Sequence, residues 1–348
     1  MYGGSLAGAH TAFTMKTYNA LFAGGIGSSA TTQALLAYPQ WYHPIIKYGP
    51  SDCISRIINI IDKIDSLITS GNDSGIQAVK DIFGLGELKS LGDFAMTIAF
   101  PIGGPMNYPT NTWQELNWSP LYGSQDFWNF CSNVTNPSPP ENISRIDTAL
   151  SNYTNGEPWT GLGGYASYIK NVLLPTCTSG RIDSTDPGCF GTQNATFYAD
   201  ATNSASRSYL YSTCSESGAY QTAPLTGPSL ISRALQIPYT QQWCTWAFPA
   251  GHYNAIPPTP QLHYYNQYGG WNIRAKNLAL IDGSTDVWLD LCYHSELATK
   301  GKPRVSSDEY PSYLIAGAGH HWDSYGILDV EAEPQFIREA HLWEMRTV

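Results

Sequence analysis

Three side chains far apart in the sequence have the types that nucleophilic hydrolysis needs: a hydroxyl at Ser5, a carboxylate at Asp286 and an imidazole at His320. A serine at its own pKa is a poor nucleophile. An imidazole must take its proton as it attacks a carbonyl, and a carboxylate must hold that imidazole in the right tautomer and stabilise its cationic form. Ser5 lies in Gly3-Gly4-Ser5-Leu6-Ala7-Gly8, where small neighbours let the backbone close a sharp strand-to-helix turn without side-chain collision. Ala7 stands where glycine is usual. The expectation is a methyl group in a tight place, relieved by Gly8. Asp286 lies in Asp282-Gly283-Ser284-Thr285-Asp286-Val287-Trp288 and His320 in Gly317-Ala318-Gly319-His320-His321-Trp322-Asp323. Within those segments Asp282 is the alternative acid and His321 the alternative base. The backbone N–H of Leu6 would supply one oxyanion donor; the second normally follows an earlier strand, which this sequence does not contain. The remaining histidines show no metal-ligand spacing and no cysteine has a suitable partner pattern, so neither a metal nor a cofactor is expected.

The elements that must position these groups read as α/β. A helix should follow Ser5, and the apolar runs Asn277-Leu278-Ala279-Leu280-Ile281 and Tyr313-Leu314-Ile315-Ala316 should be buried parallel strands feeding the acid and histidine loops. Serine, then acid, then histidine is the chain order of an α/β-hydrolase fold. Between these parts the texture is helical. Ile54, Ile57, Ile58, Ile61, Ile64 and Ile68 recur at helical spacing, with Ser51 or Asp52 to cap the start and Gly71 to end it. Further helices are expected over 75–83 and 88–100, before a break at Pro101 and Gly103-Gly104-Pro105, and over 334–345 with Phe336, Ala340 and Trp343 on one face. The expected organisation is a partial α/β-hydrolase domain, residues 1–50 and 236–348, interrupted by a mostly helical cap, residues 51–235.

Composition narrows the setting. Charged residues are 13% of the 348, and the formal charge is −10 with no long Lys/Arg cluster, so nucleic acid is an unsuitable partner. No stretch reaches the roughly 18 apolar residues of a membrane span. Six Asn-x-Ser/Thr sequons, at Asn72, Asn117, Asn133, Asn142, Asn152 and Asn194, accompany seven cysteines, which points to the secretory route. No export signal opens the sequence. That signal is expected upstream, together with a partner for the odd cysteine.

Taken with Ser28-Ser29-Ala30, Leu91-Gly92-Asp93-Phe94, Phe100-Pro101-Ile102-Gly103, Cys214-Ser215-Glu216, Tyr268-Gly269-Gly270-Trp271-Asn272 and the double histidine, these motifs resemble, almost end to end, the S28 serine peptidases. That group includes prolyl carboxypeptidase, dipeptidyl peptidase 7 and fungal acid prolyl endopeptidases. The resemblance implies an α/β-hydrolase domain with an inserted helical cap and the early strands missing. It further implies a triad of Ser5, Asp286 and His320, and cleavage next to proline, usually as an exopeptidase, in an extracellular or vacuolar-lysosomal setting. Trp288 would line a proline pocket, with core packing as the alternative. Glu216 is a candidate for reading a substrate amine, or else a structural carboxylate. Cys214 with Cys244 and Cys177 with Cys189 are the candidate disulfides. Leu6 and Ala7 after the serine, and Val287 after the acid, depart from the common pattern and leave substrate preference less determined than reaction type. The expected partners are peptides, with a homodimer left open. A lipase or carboxylesterase on the same scaffold, and a catalytically inert truncated glycoprotein, are the competing readings.

Overall fold

Four short runs of small and branched residues pair as a parallel sheet. In the computed structural model, which describes residues 1–104, 113, 117–201, 205–252 and 255–347, strands β1 (Tyr2–Gly4), β2 (Gly25–Ser28), β5 (Leu278–Gly283) and β6 (Ser312–Ile315) lie in the order β1-β2-β5-β6. Strand β5 is buried along its whole length, as a parallel strand covered on both faces must be. Its side chains alternate. Leu278 and Leu280 join Ala12 and Met15 of helix α1 (Ser5–Tyr18) on one face, while Ala279 and Ile281 join Ile26, Ile315 and Ala340 on the other. Strands β3 (Leu35–Ala37) and β4 (Gly218–Tyr220) form a second parallel pair. The fold is therefore α/β with a parallel sheet, as the hydrolase reading requires.

The isoleucine stripe forms the helix Ser51–Thr69, with Ile54, Ile57, Ile61 and Ile64 buried. Its start differs from expectation. Pro50 holds the cap position with no side-chain cap bond; Ser51 and Asp52 are inside the first turn, where Asp52 pairs with Arg56 one turn on, 2.9 Å away. Proline's fixed φ suits a helix entry without a side-chain cap. Gly71, at φ 64°, follows the end. The helix expected over 88–100 spans Leu91–Ala99, because Ser90 accepts from the Asp93 N–H and starts it later. Pro105, part of the expected break, lies outside the described residues. The C-terminal helix is Gln335–Thr347, and it buries Ile337 beside Ala340 more fully than Phe336 or Trp343.

Three disulfides brace the helical region: Cys177–Cys189 and Cys214–Cys244, the two pairs named above, and Cys53–Cys131, which joins the isoleucine helix to Asp126–Val134. The odd cysteine is Cys292. It is completely buried and donates to the Trp288 carbonyl, so it is a core residue and no exposed half-bridge. One large core runs from Tyr38 through these helices to Val287, Trp288 and Leu291 of the acid loop. Packing of the helical region is thus felt directly at the segment that carries Asp286. Among the described residues no helix is long and apolar enough to cross a membrane.

Candidate active site

Ser5, Asp286 and His320 follow the carboxyl ends of β1, β5 and β6, the edge where open parallel sheets place their ligands. Ser5 is the first residue of α1 and sits at φ 57°, a left-handed conformation that costs a non-glycine residue on the order of 1–3 kcal/mol. That strain marks the tight turn. A side chain at Gly3 would run within 2.3 Å of the Ala7 carbonyl, and one at Gly8 within 2.8 Å of both the Gly3 and Ser28 carbonyls. Ala7 itself is exposed, so its methyl group meets no tight contact. This corrects the expectation of a crowded methyl: the positions that tolerate no side chain are Gly3 and Gly8, where α1 crosses β1 and β2.

The acid and histidine loops are stitched together by backbone. Thr285 N–H donates to the Ala318 carbonyl at 2.9 Å, Ser284 N–H to Ile315 at 3.0 Å, and Gly317 N–H to the Ser284 hydroxyl at 2.8 Å. Gly283 is needed here, since a Cβ would approach the Gly319 carbonyl within 2.3 Å. Held this way, His320 Nδ1 lies 2.9 Å from Asp286 Oδ2 and His320 Nε2 lies 2.7 Å from Ser5 Oγ. Asp286 is fully buried, and its second oxygen accepts from the Trp288 N–H at 2.8 Å. With Nδ1–H donating to the carboxylate, Nε2 is left as the acceptor for the Ser5 hydroxyl, the arrangement a general base requires. The first turn of α1 also leaves N–H groups, Leu6 among them, without intrahelical partners.

The alternatives go elsewhere. Asp282 pairs with His294 at 2.7 Å. His321, at φ 41°, turns away from Asp286, stacks on Tyr325 with centroids 5.6 Å apart, and keeps Nδ1 buried without a partner among the described residues. Burial, and then the charge of His320, lower its pKa to about 4, so His321 stays neutral beside the His320 imidazole. Trp288 stacks on Tyr38 at 5.7 Å and its ring centroid lies 6.3 Å from that of His320. Glu216 is exposed on the π-helical turn Thr213–Ser217 next to the Cys214–Cys244 bridge; among the described residues no hydrogen bond joins it to Ser5, Asp286 or His320. Of the sequon asparagines, Asn133, Asn142 and Asn152 are exposed, Asn117 is half-buried, and Asn72 and Asn194 accept helix-capping bonds from Gly75 and Phe197. No group of three or more His, Cys, Asp or Glu among the described residues is placed to hold a metal.

Ser28 and Ser29 carried only resemblance in the sequence, yet both hold the histidine loop: Ser28 donates to Asp323 at 2.7 Å and Ser29 accepts from the His321 N–H at 2.9 Å. Nothing in their spacing foretells it, because the contacts span almost 300 positions.

A strained serine at a strand-to-helix turn, facing a histidine and an acid on later strands, defines the α/β-hydrolase class. A family model described as "Serine carboxypeptidase S28" matches residues 1–338, and the chain belongs to that family. It is 30% identical, over the whole of this chain and 48% of the relative, to the "Probable extracellular serine carboxypeptidase" of Arthroderma benhamiae. The "Serine protease vicPb" and "Serine protease vicPa" of Bipolaris victoriae are 25% and 26% identical over 97% and 93% of this chain. The chain spans about half to three-fifths of the length of these relatives, 48%, 62% and 59%.

Proposed function

We propose that this chain forms the catalytic part of a secreted serine peptidase that cleaves next to proline, probing substrate ends as an exopeptidase. The single observation that carries the reading is the Ser5–His320–Asp286 relay, with contacts of 2.7 and 2.9 Å, at a serine held at φ 57°. In this scheme Ser5 Oγ attacks the scissile carbonyl while His320 takes its proton, and Asp286 stabilises the imidazolium. The Leu6 N–H supports the developing oxyanion. His320 then hands the proton to the departing amine, and water hydrolyses the acyl-serine by the same relay in reverse. Trp288, its ring 6.3 Å from that of His320 and backed by the buried Tyr38, would be the flat apolar face for a pyrrolidine ring. Glu216 is placed by this reading at the cap surface, where a substrate amine would have to be brought to it.

Three disulfides and the sequons at exposed Asn133, Asn142 and Asn152 support secretion and glycosylation, as does a relative described as extracellular. The test is labelling by a fluorophosphonate, which reacts with an activated serine. The intact chain is expected to label and Ser5→Ala to stay blank. Equal labelling of both, or of neither, overturns the assignment; neither is the result for an inert glycoprotein. Turnover of a prolyl peptide against a short acyl ester then separates peptidase from esterase, since scaffold does not fix substrate.

A further inference from the structure

One buried carboxylate touches β1, β2 and the C-terminal helix without belonging to the relay. Asp323, three residues after His320 and 5% exposed, accepts from the Tyr2 hydroxyl at 2.6 Å and from the Ser28 hydroxyl at 2.7 Å. Tyr2 is in β1, three residues before Ser5, and Ser28 ends β2. The Tyr2 hydroxyl also meets Ser324 Oγ at 3.2 Å and Glu344 of the C-terminal helix at 3.4 Å. We propose that Asp323 is a positioning residue, clamping the histidine loop to the strand that carries the nucleophile, and that it does so through a proton shared with Glu344. The first half rests on the relay reading above.

The sheet runs unbroken from β6 through β5 and β2 to β1, and the Ser29 hydroxyl ties the His321 N–H to the end of β2, but among the described residues no backbone hydrogen bond joins the histidine loop directly to β1. The Tyr2 and Ser28 hydroxyls converge on one carboxylate and tie the loop to both strands. Charge-assisted hydrogen bonds of this kind are short and roughly twice as strong as neutral ones.

The second carboxyl needs explaining. Glu344 and Asp323 meet at the Tyr2 hydroxyl, which lies 3.4 and 2.6 Å from their carboxyl oxygens, and two carboxylates brought together in a partly buried cluster resist ionising at the same time. A hydrogen bond between them requires a proton on one. Burial, and then the charge of Asp323, push Glu344 up to about 9, and burial raises Asp323 as well. Tyr2 keeps its proton, raised first by burial and then by both carboxylates, so it remains a donor. Among the described residues, His341, whose Nε2 lies 2.8 Å from the Asp323 carbonyl, and Glu333, 2.9 Å from His341 Nδ1, also face the cluster.

The sign follows. A carboxyl whose pKa is raised on folding stabilises the native state in its protonated form. The contribution is complete below about 4.5, the ordinary glutamate value, and is lost as pH rises toward about 9. This cluster therefore contributes most to stability in acid.

Two measurements test this on the full chain. The first is the thermal midpoint between pH 5 and pH 8. The wild type is expected to lose more across that range than Glu344→Gln, which keeps a neutral donor; parallel curves for the two overturn the shared proton. The second is fluorophosphonate labelling split into its inactivation rate and its reversible affinity. Asp323→Ala should lose about 100-fold in rate, the scale of a misplacement near 1 Å, with affinity unchanged, and Asp323→Asn should recover most of it. Should Asp323→Ala fail to fold, Asp323→Asn takes its place, with a partial loss of rate expected. A wild-type rate in the variant used overturns the clamp. If the intact chain does not label at all, the peptidase reading fails and the clamp is read instead from the downfield imidazole N–H resonance of the His320–Asp286 pair, identified by its absence in His320→Ala. Loss or displacement of that signal in Asp323→Ala, or in Asp323→Asn where that variant stands in, supports the clamp, and an unmoved signal overturns it.

Discussion

Two imidazole–carboxylate pairs hang from strand β5, and one of them meets a serine hydroxyl. Asp282, within the strand, bonds His294 at 2.7 Å; Asp286, four residues on, bonds His320 at 2.9 Å. Both carboxylates are essentially inaccessible. The difference lies in what each pair does next. Asp282 also accepts from the backbone N–H of His294, so this pair closes the 282–294 loop on itself and presents Asp286 at its tip. His320 instead offers its far nitrogen to Ser5, whose hydroxyl arrives from the other side of the sheet. A buried histidine bonded to aspartate is therefore no sign of catalysis by itself; the third group is.

Exchanging one carboxylate at a time is the way to break that contrast. The largest effect is expected for Asp286→Asn, which leaves the shape intact but fixes the wrong imidazole tautomer. Turnover or labelling should drop by about 10⁴-fold, and a loss under tenfold would mean that His320 does not depend on this acid. Next comes Asp282→Asn. It removes one member of a buried pair and should cost about 3 kcal/mol in urea unfolding, while the rate of labelling per folded molecule stays within tenfold. The reverse outcome, full stability with no labelling, would exchange the roles of the two pairs. The smallest effect belongs to Cys292→Ala. The Cys292 thiol is packed between the pairs, donates to the Trp288 carbonyl, and is held protonated by burial and then by the Asp282 charge. Its loss should cost roughly 1–2 kcal/mol as a small cavity and leave labelling unchanged, and the native chain should resist a thiol alkylator until denatured.

Much of the molecule is legible along the chain wherever the forces are local. The isoleucine stripe of Ser51–Thr69 and the apolar runs of β5 and β6 follow from periodicity, and the chain order of serine, acid and histidine follows from strand order. Local reading fails where a neighbour comes from far away. The methyl group of Ala7 looked crowded because the turn pattern asks for glycine there, yet α1 turns that side outward and puts Gly8 against β2. Cys53–Cys131 joins residues 78 positions apart, and no spacing rule selects that partner from seven cysteines.

What the sequence alone determined, then, is the set of elements and the kinds of side chain that arrive at their ends, because helix and strand patterns are fixed within a dozen residues. The choice of Asp286 over Asp282 as the partner of His320, and the gathering of Tyr2, Ser28, Asp323 and Glu344 behind them, belong to the tertiary structure. Those contacts join residues from 21 to 321 positions apart, and the parallel stacking of β1, β2, β5 and β6 brings the strand ends to one edge.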